Sequence, residues 1–443
     1  MQANFHTLLW LLTAAASVVF GLSITSATTT TLGIDVEGSA RLNGGSFQTS
    51  AITSYNGWQY AAFYNTSGTY AQNLVTLGRR KINPVAAWEF IVFKDYVQTT
   101  IDGHNTISLG ISTGDGTIHL SYDHHDVPLH YRVSQQGVAT NPASYTWSTA
   151  LFGSTLNALP GATGIWTPVT YPRFERVDND LFFELRIGAS GSGDSYIYLY
   201  SSSTHSWSQV GRYLQGSDNN AYINGIDYLS GRLQASWTWR ETPDVVTNHD
   251  LGYAYSDDKG LTWKNNAGTT IASMSAGTAI GPTTSGSIVY TIPQGSGILN
   301  QEGQIADAAG RFHVLNRETT SGTYLWYHYW RSATGIWTRN AISISGLGAP
   351  TATGLRGKLA IANSGELIAL IPSNTNTEVY IYASTVAGSF KDWKLLWTGT
   401  GFSTEPLFDK ARLKDQNILS VFFRQSGSYP DRKLQVIDFA LGS

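Results

Sequence analysis

Short runs of β-branched and aromatic residues recur along the chain between clusters of Gly, Ser, Asn and Asp, with almost no helical periodicity. Representative runs are Ile118-His119-Leu120-Ser121-Tyr122, Leu181-Phe182-Phe183-Glu184-Leu185, Tyr196-Ile197-Tyr198-Leu199-Tyr200 and Ile418-Leu419-Ser420-Val421-Phe422-Phe423. The runs group into units. Each has a tight turn between its first two strands, as at Thr113-Gly114-Asp115-Gly116-Thr117, Ala306-Asp307-Ala308-Ala309-Gly310-Arg311 and Ala362-Asn363-Ser364-Gly365-Glu366. Several units end in Ser-x-x-x-Gly-x-x-Trp or a relic of it. Ser256-Asp257-Asp258-Lys259-Gly260-Leu261-Thr262-Trp263 is a full Asp-box, and Ser332-Ala333-Thr334-Gly335-Ile336-Trp337 is a decayed one. In such a box the carboxylate ties down the turn and the tryptophan packs between units, so Asp258 is read as a turn residue. At roughly 60 residues per unit the chain holds about seven, the range of β-propellers. The expectation is an all-β, seven-bladed β-propeller in a single domain.

The 443 residues are enough for an extensive core, which a chain without cysteine needs, because no disulfide or thiolate metal site can staple it. Charged residues make up 13% and the net charge is −3, which argues against phosphate-backbone binding as the main task. The 14 tryptophans and 24 tyrosines suit a sheet-rich fold or a sugar-stacking surface equally.

At the N-terminus, Leu8-Leu9-Trp10-Leu11-Leu12 runs through an alanine cluster into Val18-Val19-Phe20 without a charge. This reads as the apolar centre of a secretory signal peptide covering residues 1–27, with small residues near Thr25 and Ala27 offering a cleavage site and residues 28–443 forming the propeller. The leading segment lacks Lys and Arg, a departure from the usual pattern. No other stretch is long and apolar enough for a membrane span. The expectations are secretion to the extracellular space, no membrane or nucleic-acid partner, and a monomer. Asn65-Thr66-Ser67 is an acceptor sequence for N-glycosylation.

Polar residues beyond what structure requires gather in three places. The first is Asp102-Gly103-His104-Asn105-Thr106 with Tyr122-Asp123-His124-His125-Asp126. The second is Thr170-Tyr171-Pro172-Arg173-Phe174 with Leu185-Arg186. The third is Trp239-Arg240-Glu241-Thr242 with Asn248-His249-Asp250. Singly, a strand histidine is usually a hydrogen-bonded structural residue and an arginine a surface ion-pair member, and His119, His130, His205, His313 and His328 are read that way. Recurrence at equivalent ends of successive units separates the three clusters from that class, because such ends converge on one face of a propeller.

On these motifs the chain resembles the propeller polysaccharide lyases of the BNR-repeat fold, a family that includes ulvan lyases and a fungal L-rhamnose-α-1,4-D-glucuronate lyase. The stretch from Asp102 to Tyr131, then Tyr171-Pro172-Arg173-Phe174 and Arg186, match in order and spacing. The fungal type looks closest. The resemblance implies cleavage of a 4-linked glucuronate by β-elimination, with catalytic His104, His125, Tyr171 and Arg186, and with Asn105, Arg240, Asn248 and His249 binding substrate. His125 is preferred to His124 because it keeps the distance to Pro128-Leu129. No cofactor is required for this chemistry. Some relatives carry a structural metal ion, and its ligands are unassigned here.

The chemistry agrees with that assignment. Elimination must first acidify the proton at C5 of the uronate, which cations such as Arg186 and Arg240 on its carboxylate would do. In a gluco-configured uronate the C5 hydrogen and O4 lie on one side, so Tyr171 could serve as phenolate base and then as acid, aided by the histidines. The expected substrate is a glucuronate-bearing polysaccharide or glycoprotein glycan, with the rhamnose–glucuronate linkage of arabinogalactan side chains (gum arabic) favoured over an algal sulfated polymer. The alternatives are an ulvan lyase, a sialidase-like glycoside hydrolase, for which no N-terminal arginine motif is found, and a non-catalytic carbohydrate-binding propeller.

Overall fold

The computed structural model describes residues 21–351 and 353–442; the apolar run from Leu8 to Phe20 lies outside them. Each run read as a strand is one: Ile118–Tyr122, Asp180–Ala189, Ser192–Ser201 and Ile418–Arg424. The one α-helix among the described residues, Lys410–Gln416, starts where the Asp409 carboxylate accepts from the Arg412 amide and stops at Asn417 in the left-handed region.

The strands form antiparallel meanders. Ile52–Tyr55, Trp58–Thr66, Asn73–Lys81 and Glu89–Gln98 make one sheet; Ile107–Ile111, Ile118–Tyr122 and Tyr131–Val133 the next. A ten-stranded sheet follows, and then two further four-stranded meanders, Gly303–Ala306 to Trp337–Ala341 and Lys358–Ile361 to Lys394–Thr400. The last sheet is closed from the other end of the chain. Ser23–Ile34 pairs antiparallel with Lys433–Gly442, Ser23 opposite Gly442 and Ile34 opposite Lys433. Joining first strand to last removes an exposed edge and makes the set of sheets one domain.

This closing strand begins well before residue 28. Ser23 to Ala27, expected to leave with a signal peptide, are hydrogen-bonded to the last strand, and Leu22 is wholly buried beside Phe439 and Leu441. The β-branched run Thr28-Thr29-Thr30-Thr31 suits an extended strand.

Apolar side chains fill the space between neighbouring sheets. Tyr60, Tyr64 and Leu77 of one sheet pack with Leu109, Leu120 and Tyr122 of the next. The Asp-box works as expected: Asp258 accepts from the Thr262 amide (2.9 Å) and hydroxyl (2.7 Å), and Trp263, fully buried, stacks at 4.7 Å on Tyr213 of the preceding meander. In the decayed box Trp337 meets Tyr253 edge-on at 5.2 Å. No helix among the described residues is long and apolar enough to cross a membrane.

Candidate active site

Asp102 organises the first cluster. It sits between Glu89–Gln98 and Ile107–Ile111, and its Oδ1 accepts from the backbone amide of His104 (2.9 Å), the local turn expected of an Asp. The same oxygen receives His104 Nδ1 at 2.5 Å, while Oδ2 receives His125 Nδ1 at 2.5 Å. The two imidazoles stack at 4.0 Å with planes 24° apart. Burial works against the Asp102 charge, but the hydrogen bonds from His104 and His125 prevail and hold its carboxyl well below the usual range. An ionised carboxylate only accepts, so both Nδ1 atoms carry protons, and a neutral imidazole held this way has its lone pair on Nε2. Burial also lowers the pKa of His104, against the raising effect of Asp102, which favours the neutral base near pH 7.

His124 and His125 have opposite fates. Asp123 and Asp126, both at positive φ, turn the backbone on either side of the pair. His124 is wholly buried, its Nε2 accepting the His130 amide at 2.7 Å, and burial holds it well below its ordinary pKa. His125 faces the cavity.

Tyr171 reaches the same cavity through an irregularity. Strand Val169–Val177 pairs Arg173 with Glu184 but Thr170 with Arg186, so the intervening Tyr171-Pro172 forms a bulge. Tyr171 has φ 59°, a strained conformation for a bulky residue, and this re-aims its ring. The ring centroid lies 5.7 Å from that of His104. Burial pushes the phenol up to about 12 although Arg186 pulls the other way, so Tyr171 rests protonated. In that state its hydroxyl has a proton to give.

Arg186 is not on the cavity surface. Its Nη2 donates to Asp126 Oδ1 (2.6 Å) and Thr170 Oγ1 (2.9 Å), and its guanidinium carbon lies 4.9 Å from the centroid of the Tyr171 ring. Its charge lies against the Tyr171 ring. Arg240 does line the cavity, held by the Thr242 carbonyl (2.9 Å), Ser190 Oγ (3.1 Å) and the Pro243 carbonyl.

The cavity holds about 670 Å³. Arg41, Phe47, Arg356 and Glu405 line the same cavity, none foreseen from sequence. Glu405 Oε1 pairs with Arg356 at 3.1 Å and lies 3.9 Å from Arg41. Burial opposes its charge, but Arg356 and Arg41 bring its carboxyl down to about 2.

Three expected binding residues do not reach the cavity. Asn105 is buried in the turn before Ile107–Ile111, beside Asp123. Asn248 is buried with its amide on the Ile298 carbonyl (3.1 Å). His249 is held between Glu241 Oε1 (2.6 Å) and Asp250 Oδ2 (3.0 Å), and the Asp250 hydrogen bond foremost raises its pKa. Of the histidines read as structural, His119 lies buried between Thr117 and Tyr131, and His313 and His328 stack on each other. Asp102, His104 and His125 have ligand atoms within 4.8 Å of one another and form a set able to chelate a divalent ion. Such an ion would have to displace the two Nδ1 protons that Asp102 now accepts.

Residues 58–344 match the BNR repeat-containing family. Among curated proteins the chain is similar to long-isoform ulvan lyases of Alteromonas sp. (strain LOR), 27% identical, and Pseudoalteromonas sp. (strain PLSV), 26% identical. Each match runs over 206 residues, 38% of this chain and 21% of the relative, so the chain spans about a fifth of the length of these relatives. Among solved structures it resembles polysaccharide lyase Uly1, with TM-score 0.70 and 17% identity over 94% of this chain and 99% of that one. A PL25 ulvan lyase follows, with TM-score 0.65 and 14% identity over 91% and 95%. At these identities the two structures establish a shared fold. The expected kinship with a fungal rhamnose–glucuronate lyase is overturned, because the relatives found are bacterial ulvan lyases. The assignment to arabinogalactan side chains, which rested on that kinship, falls with it.

Proposed function

The chain belongs to the BNR repeat-containing family, and on that premise we propose that it is a secreted polysaccharide lyase that cleaves ulvan by β-elimination at a uronate. The observation that carries the reading is the convergence of a carboxylate-oriented histidine pair and a protonated tyrosine on one cavity. Ulvan is taken from the curated relatives, whose names specify it.

In this scheme the uronate carboxylate lies against the cationic side of the cavity, where Arg240, Arg356 and Arg41 are available, and the C5 proton becomes acidic. A histidine Nε2 takes that proton. Asp102, on the far side of the ring, stabilises the imidazolium that results. Tyr171 then protonates O4 as the C4–O4 bond breaks, and Arg186 behind its ring stabilises the phenolate as it forms. Acid and base on one side suit a substrate whose C5 hydrogen and O4 share a face.

Seven blades follow if the ten-stranded sheet is two. Its halves touch through one parallel pair, Gly193 with Asn220, in contrast to the long antiparallel ladders on either side. We place the end of a signal peptide before Leu22, since a cut at residue 27 would remove hydrogen-bonded strand residues.

The test is incubation of the purified chain with ulvan, following the ultraviolet absorbance of an unsaturated uronate. Absorbance should rise with the wild type and fall at least about a hundredfold with Tyr171→Phe, the scale of a lost general acid. Binding of ulvan without new absorbance, under conditions where a known ulvan lyase acts, would replace the lyase by a carbohydrate-binding propeller.

A further inference from the structure

Asp102 fixes the Nδ1 edge of His104, and His125 covers one face of its ring. Phe47 lies nearly parallel to His104, with centroids 4.7 Å apart and planes at 11°, and 5.2 Å from Tyr171 at 46°. Two rings stacked this closely on one imidazole occupy its opposite faces. Beyond Phe47 the Arg356 guanidinium carbon stands 4.7 Å from the phenyl centroid. The result is a column of Arg356, Phe47, His104 and His125.

The turn that carries Phe47, Ser46–Gln48, is tied to distant parts of the chain. The Ser46 amide donates to Glu405 Oε2 (2.5 Å), its hydroxyl donates to the Gln301 carbonyl (2.6 Å), and Lys358 Nζ donates to that hydroxyl (2.5 Å). The Gln48 side-chain Nε2 donates to the Ala62 carbonyl at 2.9 Å. Glu405 also pairs with Arg356, so one carboxylate sets both the phenyl ring and the cation on it. At Gly44 (φ 68°) a Cβ would come within 2.8 Å of Thr404 Oγ1, and the backbone here is confined to glycine. So firmly held a turn delivers Phe47 to one position. Residues 41–47, 356 and 405 also lie outside the segment that matches the family.

We propose that Phe47 is a positioning residue of this site: clamped by Arg356, its ring holds the His104 imidazole and the Tyr171 phenol in the mutual orientation that proton transfer requires. The role rests on the lyase reading of the same cavity. Without the phenyl ring, His104 retains Asp102 at one edge and loses the surface that keeps its plane parallel to His125. Displacement of about 1 Å at such a group can cost about a hundredfold in rate. An aromatic residue beside a sugar site could alternatively serve as a stacking platform, which would act on affinity.

The experiment compares the full-length wild type with Phe47→Leu and Phe47→Tyr in steady-state elimination on ulvan. It also compares the histidine ring NMR signals without substrate, His104 being assigned by its loss in His104→Gln. Phe47→Leu should lower kcat at least about tenfold with KM within about twofold and little change in Tm, while Phe47→Tyr, which keeps the ring, should restore kcat. Because loss of the ring current alone shifts the His104 signals, ordering is read from their ring ¹⁵N relaxation, which should report a more mobile imidazole in Phe47→Leu and an unchanged one in Phe47→Tyr. A raised KM with unchanged kcat, wild-type kinetics in Phe47→Leu, or unchanged His104 relaxation in Phe47→Leu would each overturn the proposal. If Phe47→Leu fails to fold, Phe47→Met is judged by the same readouts. If the wild type produces no unsaturated uronate, the lyase reading has failed, and the His104 relaxation still decides whether Phe47 orders that ring.

Discussion

Replacing Asp102 by Asn removes one charge and changes almost no volume, yet it should stop most turnover. The carboxylate accepts from His104 Nδ1 on one oxygen and His125 Nδ1 on the other, each at 2.5 Å. An amide has one acceptor and one donor end, so one ring must surrender its Nδ1 proton and carry it on Nε2, where a base needs its lone pair. The imidazolium formed on proton abstraction also loses its counter-charge. At about 4 Å and an effective dielectric of about 20 that interaction is roughly 4 kcal/mol. The side chains are 27–30% exposed, so solvent screening reduces it to roughly 3 kcal/mol. At about 1.4 kcal/mol per tenfold, kcat should fall by about two orders of magnitude. KM should change little, because Asp102 lies behind the rings. Asp102 also raises the pKa of His104 against burial, so Asp102→Asn should move the acid limb of kcat/KM to lower pH. The assay is initial-rate absorbance of the unsaturated product across pH, with circular dichroism confirming the fold. A kcat within about threefold of wild type, or an acid limb displaced to higher pH, would refute the assignment of Asp102 as the group that sets both tautomers.

Arg186→Ala should lower kcat at least about a hundredfold with a smaller effect on KM, since it removes the charge behind the Tyr171 ring; equal loss in both constants would move Arg186 to substrate binding. Glu405, with its pKa depressed to about 2 from 4.5, contributes stability that is fully present above about pH 4.5 and lost as pH falls towards 2, worth roughly 3 kcal/mol. Urea unfolding of Glu405→Gln should therefore show a lower stability at pH 6 and a smaller decline between pH 5 and pH 3. Asp258→Ala removes the carboxylate that anchors the Asp-box turn and should cost about 1–3 kcal/mol in unfolding with kcat unchanged. His249→Ala, away from the cavity, should leave both kinetic constants within about twofold of wild type.

The strands and the Asp-box were legible because their causes are local: β-branched alternation, turn residues, and one carboxylate closing one loop. The convergence of His104, His125 and Tyr171 on one cavity was legible for a similar reason, since they fall near the ends of neighbouring strands. Arg41, Phe47, Arg356 and Glu405 carried no local signal, because they meet the histidines only when the first strand pairs with the last. Arg186 was visible as a residue but not in its placement. Its partner Asp126 stands 60 positions away, and only the bulge at Tyr171 reveals that the guanidinium lies behind the phenol. Asn105, Asn248 and His249 lie off the cavity because polar residues near strand ends also bond to neighbouring loops and side chains. The resting state of Tyr171 depended on burial, which a linear pattern does not encode.

The central claim is elimination, and the most direct measurement is mass spectrometry of the products released from ulvan in ¹⁸O-labelled water. A lyase breaks C4–O4 without water, so the products should carry no heavy oxygen from bond cleavage and should include a uronate with a C4=C5 double bond. Incorporation of one ¹⁸O at each new reducing end, beyond the slow exchange seen with a preformed oligosaccharide and without unsaturated uronate, would show hydrolysis and contradict the account.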